Sequence, residues 1–121
     1  AGVEISETVP TGTKWKFKSL LVVFTTDATV ISRYPAIIIN DGSKDIIRIA
    51  TTTGQAAGNA FRYTFSDTGS SNTAVASGIN IILTKDLILP AGYIIKTITT
   101  SIVAGDNYEA PQLLVEEWIE P

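Results

Sequence analysis

The sequence predicts an all-β, single-domain antiparallel β-sandwich, and three observations carry that prediction. β-Branched residues, Ile and Thr above all, are in excess, which favours pleated strands over helices. Apolar residues recur with period two in short runs bounded by Gly, Pro, Asn and Asp. No window carries an i, i+3, i+4, i+7 apolar stripe between capping residues, so no helix is predicted. Among sandwiches a jelly roll is the first choice; an immunoglobulin-like sandwich is the alternative, although its Cys pair is missing. A chain of 121 residues suits one domain with its own core, here 9–121 preceded by an extended arm, 1–8.

The arm, "AGVEISET", is sparse in apolar anchors and reads as an arm docking onto a neighbour or as an edge strand. Val9-Pro10-Thr11-Gly12 then supplies a turn, and from Lys14 a long strand alternates. Trp15, Phe17, Leu21 and Val23 fall on one face; Lys14, Lys16 and Lys18 fall on the other and lead into Leu20, Val22 and Phe24. That second face predicts either a basic row running into an exposed apolar patch, an interface, or a row of solvated lysines beside core residues.

"YPAIIINDGSKDIIRIA" predicts a hairpin, with Asn40, Asp41, Gly42 and Ser43 forming the turn between two Ile-rich strands. "TTTGQAAGNA" reads as a loop or a short helical turn, and "FRYTFSD" as a one-sided strand. The polar stretch 68–78 predicts an exposed excursion. A strand from Ile79 follows, then a second Pro-x-Gly turn at Pro90 and Gly92, a long β-branched strand, the loop "AGDNYEAP", and a final strand, Gln112 to Ile119. The two turn-plus-strand units suit matching corners of one sandwich.

Composition narrows the chemistry. Without His or Cys the chain has no Ser-His-Asp or Cys-His apparatus, no disulfides and no Cys-based zinc site. No enzyme activity, cofactor or metal is expected. A net charge of −3 argues against a nucleic-acid partner, and no apolar run approaches the ~18 residues of a membrane helix, so no membrane partner is expected.

Asp106 and Glu109 could form a carboxylate pair or a solvated turn. Glu116 and Glu117, adjacent in a strand, point to opposite faces. "NDGSKD" could offer oxygens to calcium, but a hairpin turn accounts for the same residues. The loop Asp106, Asn107, Tyr108, Glu109 is a candidate ligand loop, for carbohydrate or for a subunit contact.

Several stretches carry a motif pattern: V-P-x-G-x-x-W/F at Pro10 and Gly12; x-x-R-x-P-x-I-x-I-x-D-G at Arg33, Pro35, Asp41 and Gly42; L-P-A-G-Y-x-I-x-T at Pro90 and Gly92; A-G-D-N-x at Asp106 and Asn107; and L-L-V-E-E-W at Glu116, Glu117 and Trp118. In these the chain resembles short all-β structural proteins of tailed bacteriophages, of the capsid-decoration or head-fibre type. The match covers most of the chain, least well 51–77, and rests on turn and core residues, so it implies a shared fold and carries over no catalytic residues.

The resemblance implies a virion protein on the capsid surface. Its partners would be the major capsid protein or other virion proteins, and it would form a homo-oligomer, a trimer first among the closed forms. The candidate interface comprises Ala1, Gly2, Val3, Glu4, Ile5, Lys14, Lys16, Lys18, Leu20, Val22 and Phe24. Two other readings stand beside it: a carbohydrate- or receptor-binding module on a tail or fibre, and a surface-filament subunit completed by a neighbour's arm.

Overall fold

The β-branched runs fold into ten strands: β1 (Ser6–Thr8), β2 (Thr13–Thr25), β3 (Tyr34–Asn40), β4 (Asp45–Ala50), β5 (Ala60–Ser66), β6 (Thr73–Val75), β7 (Gly78–Ile82), β8 (Ile88–Pro90), β9 (Ile94–Thr100) and β10 (Asn107–Ile119). The computed structural model describes residues 2–51, 53–67, 73–75 and 78–119, and no helix occurs among them. One sheet has the order β1-β9-β3-β4. The other runs β10-β2-β5-β7-β6, with β8 beside the first half of β2. All pairs are antiparallel except β5 and β7, which run parallel, so the larger sheet is mixed. The expected excursion 68–78 lies partly outside the described residues; within it β6 pairs with β7.

The core lies between the sheets. Phe17, Leu20, Val22, Phe24, Tyr63, Phe65, Ile79, Ile81 and Leu89 from the larger sheet meet Ile37, Ile39 and Ile95 from the smaller. Removal of this apolar surface from water drives the association of the two sheets.

One register irregularity decides which face of β2 is which. Ser19 lies opposite Leu114 and Phe17 opposite Val115, so Lys18 is an extra residue, a β-bulge. Before it Phe17 faces inward; after it Leu20, Val22 and Phe24 do, all buried. The expected interface patch at Leu20, Val22 and Phe24 is therefore core. The outward series is Lys14, Lys16, Ser19, Leu21 and Val23, with Leu21 and Val23 half-buried.

The two Pro-x-Gly turns are matched and adjacent. In each, the N–H of the residue after Gly donates to the proline carbonyl, Thr13 to Pro10 and Tyr93 to Pro90, both at 3.2 Å. Gly12 and Gly92 take φ of 79° and 88°, the left-handed region that a side chain disfavours. Val9 joins them: its N–H donates to Tyr93 O at 2.8 Å and its carbonyl accepts from Gly92 N at 3.0 Å. They form one corner of the sandwich.

The hairpin turn forms as its residues predict. Asp41 Oδ1 accepts from Ser43 N and Lys44 N at 2.9 and 2.7 Å, and Asn40 Oδ1 accepts from Gly42 N at 2.7 Å. Those turn bonds hold Asp41 below the ordinary carboxylate range. The carboxylate that the calcium reading needed is committed to the turn.

Candidate functional site

The side chains expected to bind a ligand are largely absorbed by a buried polar lock at the start of β10. Arg33 and Asp106 are both fully buried. Arg33 Nε donates to Asp106 Oδ2 and Nη2 to Asp106 Oδ1, both at 3.0 Å, a bidentate pair. Nη2 also reaches Asp27 Oδ1 at 2.9 Å, while Nη1 donates to the carbonyls of Thr29 and Ile31 at 2.9 and 2.7 Å. These five bonds engage every nitrogen of the guanidinium.

Asp106 also accepts from Asp27 N and Val103 N, both at 3.0 Å. Burial opposes its charge, yet those two amides and the Arg33 guanidinium outweigh burial and hold Asp106 below the ordinary 3.8. Asp106 is thus a structural ion in a closed site, and its pairing with Glu109 as an acid-base couple is corrected: Glu109 is exposed in β10 and Asp106 is sealed. Gly105 makes the approach possible, because a Cβ there would lie 2.1 Å from Asp27 Oδ2.

Tyr108 is also taken up by the fold. Its ring stacks on Phe24 with centroids 4.4 Å apart, and its hydroxyl bonds Thr99 Oγ1. Burial pushes the phenol well above its ordinary range. Of the candidate ligand loop only Asn107 and Glu109 remain exposed, and they bond each other weakly at 3.4 Å.

The N-terminal segment is the edge strand of the two readings, docked on its own chain. β1 pairs with β9. Glu4 accepts from Thr97 Oγ1 (2.8 Å), Thr99 Oγ1 (2.9 Å) and Thr99 N (2.6 Å). Ile5 packs against the core, and Gly2 N donates to Asp106 O at 2.6 Å. Val3 is exposed; Ala1 lies outside the described residues.

Lys16 and Lys18 of the basic row meet carboxylates within the chain. Lys16 pairs with Asp86 at 2.9 Å and Lys18 with Asp67 at 3.2 Å. The hydrogen bond to Asp86 raises Lys16 and lowers Asp86. Two of the three lysines in the row thus have an acidic neighbour within the chain.

A different surface emerges at the far end of β10. Exposed large apolar residues gather on it and on β8: Ile88 (45% exposed), Leu114 (59%), Trp118 (42%) and Ile119 (77%). Ile88 and Trp118 flank the lysines across the sheet, Ile88 opposite Lys16 and Trp118 opposite Lys14. With Ile119 and Lys14 they line a shallow depression of about 290 Å³. Glu116 and Glu117 sit opposite Lys16 and Trp15, on opposite faces as strand alternation requires. Trp15 keeps its indole Nε1 buried with no hydrogen-bond partner among the described residues.

Sequence reasoning missed the polar lock around Arg33 as a unit, and it missed Gln55. Gln55 is fully buried, donating to Phe24 O at 2.8 Å and Asn59 O at 3.1 Å and accepting from Tyr63 Oη at 2.9 Å. Its one sequence signal is a lone polar residue among Gly54, Ala56, Ala57 and Gly58. No protein-family model, curated protein or solved structure matches the chain.

Proposed function

We propose that the protein is a non-enzymatic virion structural protein, a decoration or cement protein that binds a phage capsid shell as a homo-oligomer. The phage setting rests on the sequence resemblance, carried by the corner, hairpin and β10 motifs. The contact role rests on one observation: Ile88, Leu114, Trp118 and Ile119 are exposed on β8 and β10, which flank β2, whereas the polar groups suited to ligand chemistry are locked inside. Ile88, Leu114 and Trp118 share the outer face of the sheet, and apolar surface exposed in this way marks a protein contact.

The mechanism is burial. Covering Trp118, Ile119, Ile88 and Leu114 against a neighbour removes apolar area from water at roughly 25 cal/mol per Å² before association costs are subtracted. Aromatic anchors such as Trp118 tend to dominate that energy.

The test is electron cryo-microscopy of native particles and of shells reconstituted with the purified protein. Density on the shell, lost with Trp118→Ala plus Ile119→Ser, is the expected result. Density confined to a tail tip, or no particle association, would overturn the reading; the first outcome would favour a receptor-binding module.

A further inference from the structure

We propose that self-assembly proceeds by strand addition between unlike edges: the C-terminal half of β10 in one copy pairs with β4 of a second copy. This inference deepens the homo-oligomer part of the proposed function and does not depend on a capsid shell. Both strands are outer edges, β4 of the smaller sheet and β10 of the larger. Each exposes large apolar side chains, Ile46 on β4 and Leu114, Trp118 and Ile119 on β10. Long exposed apolar edges are natural templates for another chain.

Charge selects the partner. On β4, Asp45 is already engaged by Lys96 at 3.4 Å and by Asn40 at 2.8 Å, while Arg48 is exposed with no ion pair among the described residues. The β4 edge is therefore effectively positive. The β10 end carries Glu116 and Glu117, both exposed and without ion pairs among the described residues. Pairing β10 with β10 would crowd four glutamates and pairing β4 with β4 would gather arginines, whereas β10 with β4 joins opposite signs.

Side-chain parity agrees. Arg48 lies on the face of its sheet turned away from the core, since Ile47 and Ile49 on either side of it pack inward, and Glu116 and Trp118 lie on the outer face of theirs; Ile46, the extra residue of a β-bulge opposite Ile39 and Asn40, is exposed next to them. In an antiparallel register with Arg48 opposite Glu116, charge meets charge, and the exposed Ile46 of the bulge comes level with Trp118 along the strand. Pro111, which lacks an N–H, blunts the earlier part of β10 and leaves the 112–119 half as the pairing segment. Unlike edges make a heterologous contact, which closes into a ring when the rotation permits.

The experiment is sedimentation equilibrium of the full chain as wild type, Arg48→Glu, Glu116→Arg and the double variant, with thermal unfolding of each to verify the fold. Wild type should associate, each single reversal should weaken association at least tenfold, and the double variant should recover most of it. A monomeric wild type, single variants that associate as wild type does, or a double variant as weak as the singles would overturn the proposal. Tighter association of Glu116→Arg alone would overturn it in favour of β10–β10 pairing. Since no shell is present, failure here is separate from failure of the virion reading.

Discussion

The two ends of β10 follow opposite physics. At its start, Asp106 sits in a sealed site where Arg33, Asp27 and two backbone amides answer every charge. At its end, Trp118 and Ile119 stand exposed on opposite faces of a strand whose glutamates have no ion-pair partner among the described residues. A 13-residue strand rising ~3.3 Å per residue separates them by roughly 40 Å. The contrast teaches where to look for function in a protein rich in polar turns. Polar residues at the lock hold the fold although Val30, Ile31 and Tyr34 stand exposed beside it, and the β10 end combines exposed apolar residues with glutamates, the surface we propose meets a partner.

The sharpest way to break this contrast is to unbalance the lock. Arg33→Ala leaves Asp106 buried and unpaired, and should cost about 3–5 kcal/mol of stability, read from urea unfolding. A cost under 1 kcal/mol would mean the lock is not structural. The lock also sets an acid limit. Because the folded pKa of Asp106 is depressed, its contribution is fully present above the unfolded value and is lost as pH falls from about 4 through the depressed value. Asp106→Asn should be less stable at pH 7, and the gap to wild type should narrow as pH falls below about 4.

Gly105→Ala is next. Its Cβ would press on the Asp27 side chain and force it off Arg33, a loss of about 2 kcal/mol, on the scale of a hydrogen bond to a charged group. Asp27→Ala in the same chain should make the alanine at 105 nearly free of further cost. Glu4→Ala removes the acceptor for three hydrogen bonds to β9 and should cost about 1–2 kcal/mol, with faster amide exchange of Thr97 and Thr99. At the other end, Trp118→Ala should change stability by no more than about 0.5 kcal/mol while weakening association. A large loss of stability there would place Trp118 with the core instead.

Local chemistry was legible in the sequence, and long-range partnership was not. The Asn40–Ser43 turn and the two Pro-x-Gly turns could be read because each forms from neighbours in the chain. That Val9 ties the second turn to the first depends on a contact across more than eighty positions. The period-two pattern of β2 was visible, but its bulge at Lys18 is marked by no Gly or Pro, and one extra residue moved Leu20, Val22 and Phe24 from the presumed lysine face to the core. Arg33 stood out only as a motif residue, and Asp106 as a motif residue, a candidate partner for Glu109 and part of the candidate ligand loop. Their meeting is a property of two loops 73 positions apart. Trp118 was noticed as part of an ending motif, yet its exposure follows from its pairing opposite Lys14 on the outer face of the sheet.

The central claim is that the lock end is finished by folding and the β10 tail is finished by assembly. Hydrogen exchange of the assembled and dissociated protein tests it most directly. The account predicts that amides in 45–50 and 114–119 gain protection on assembly while those of 2–5 and 97–106 stay unchanged. Protection gained at 2–5 and 97–106, with 114–119 still exchanging freely, would contradict it.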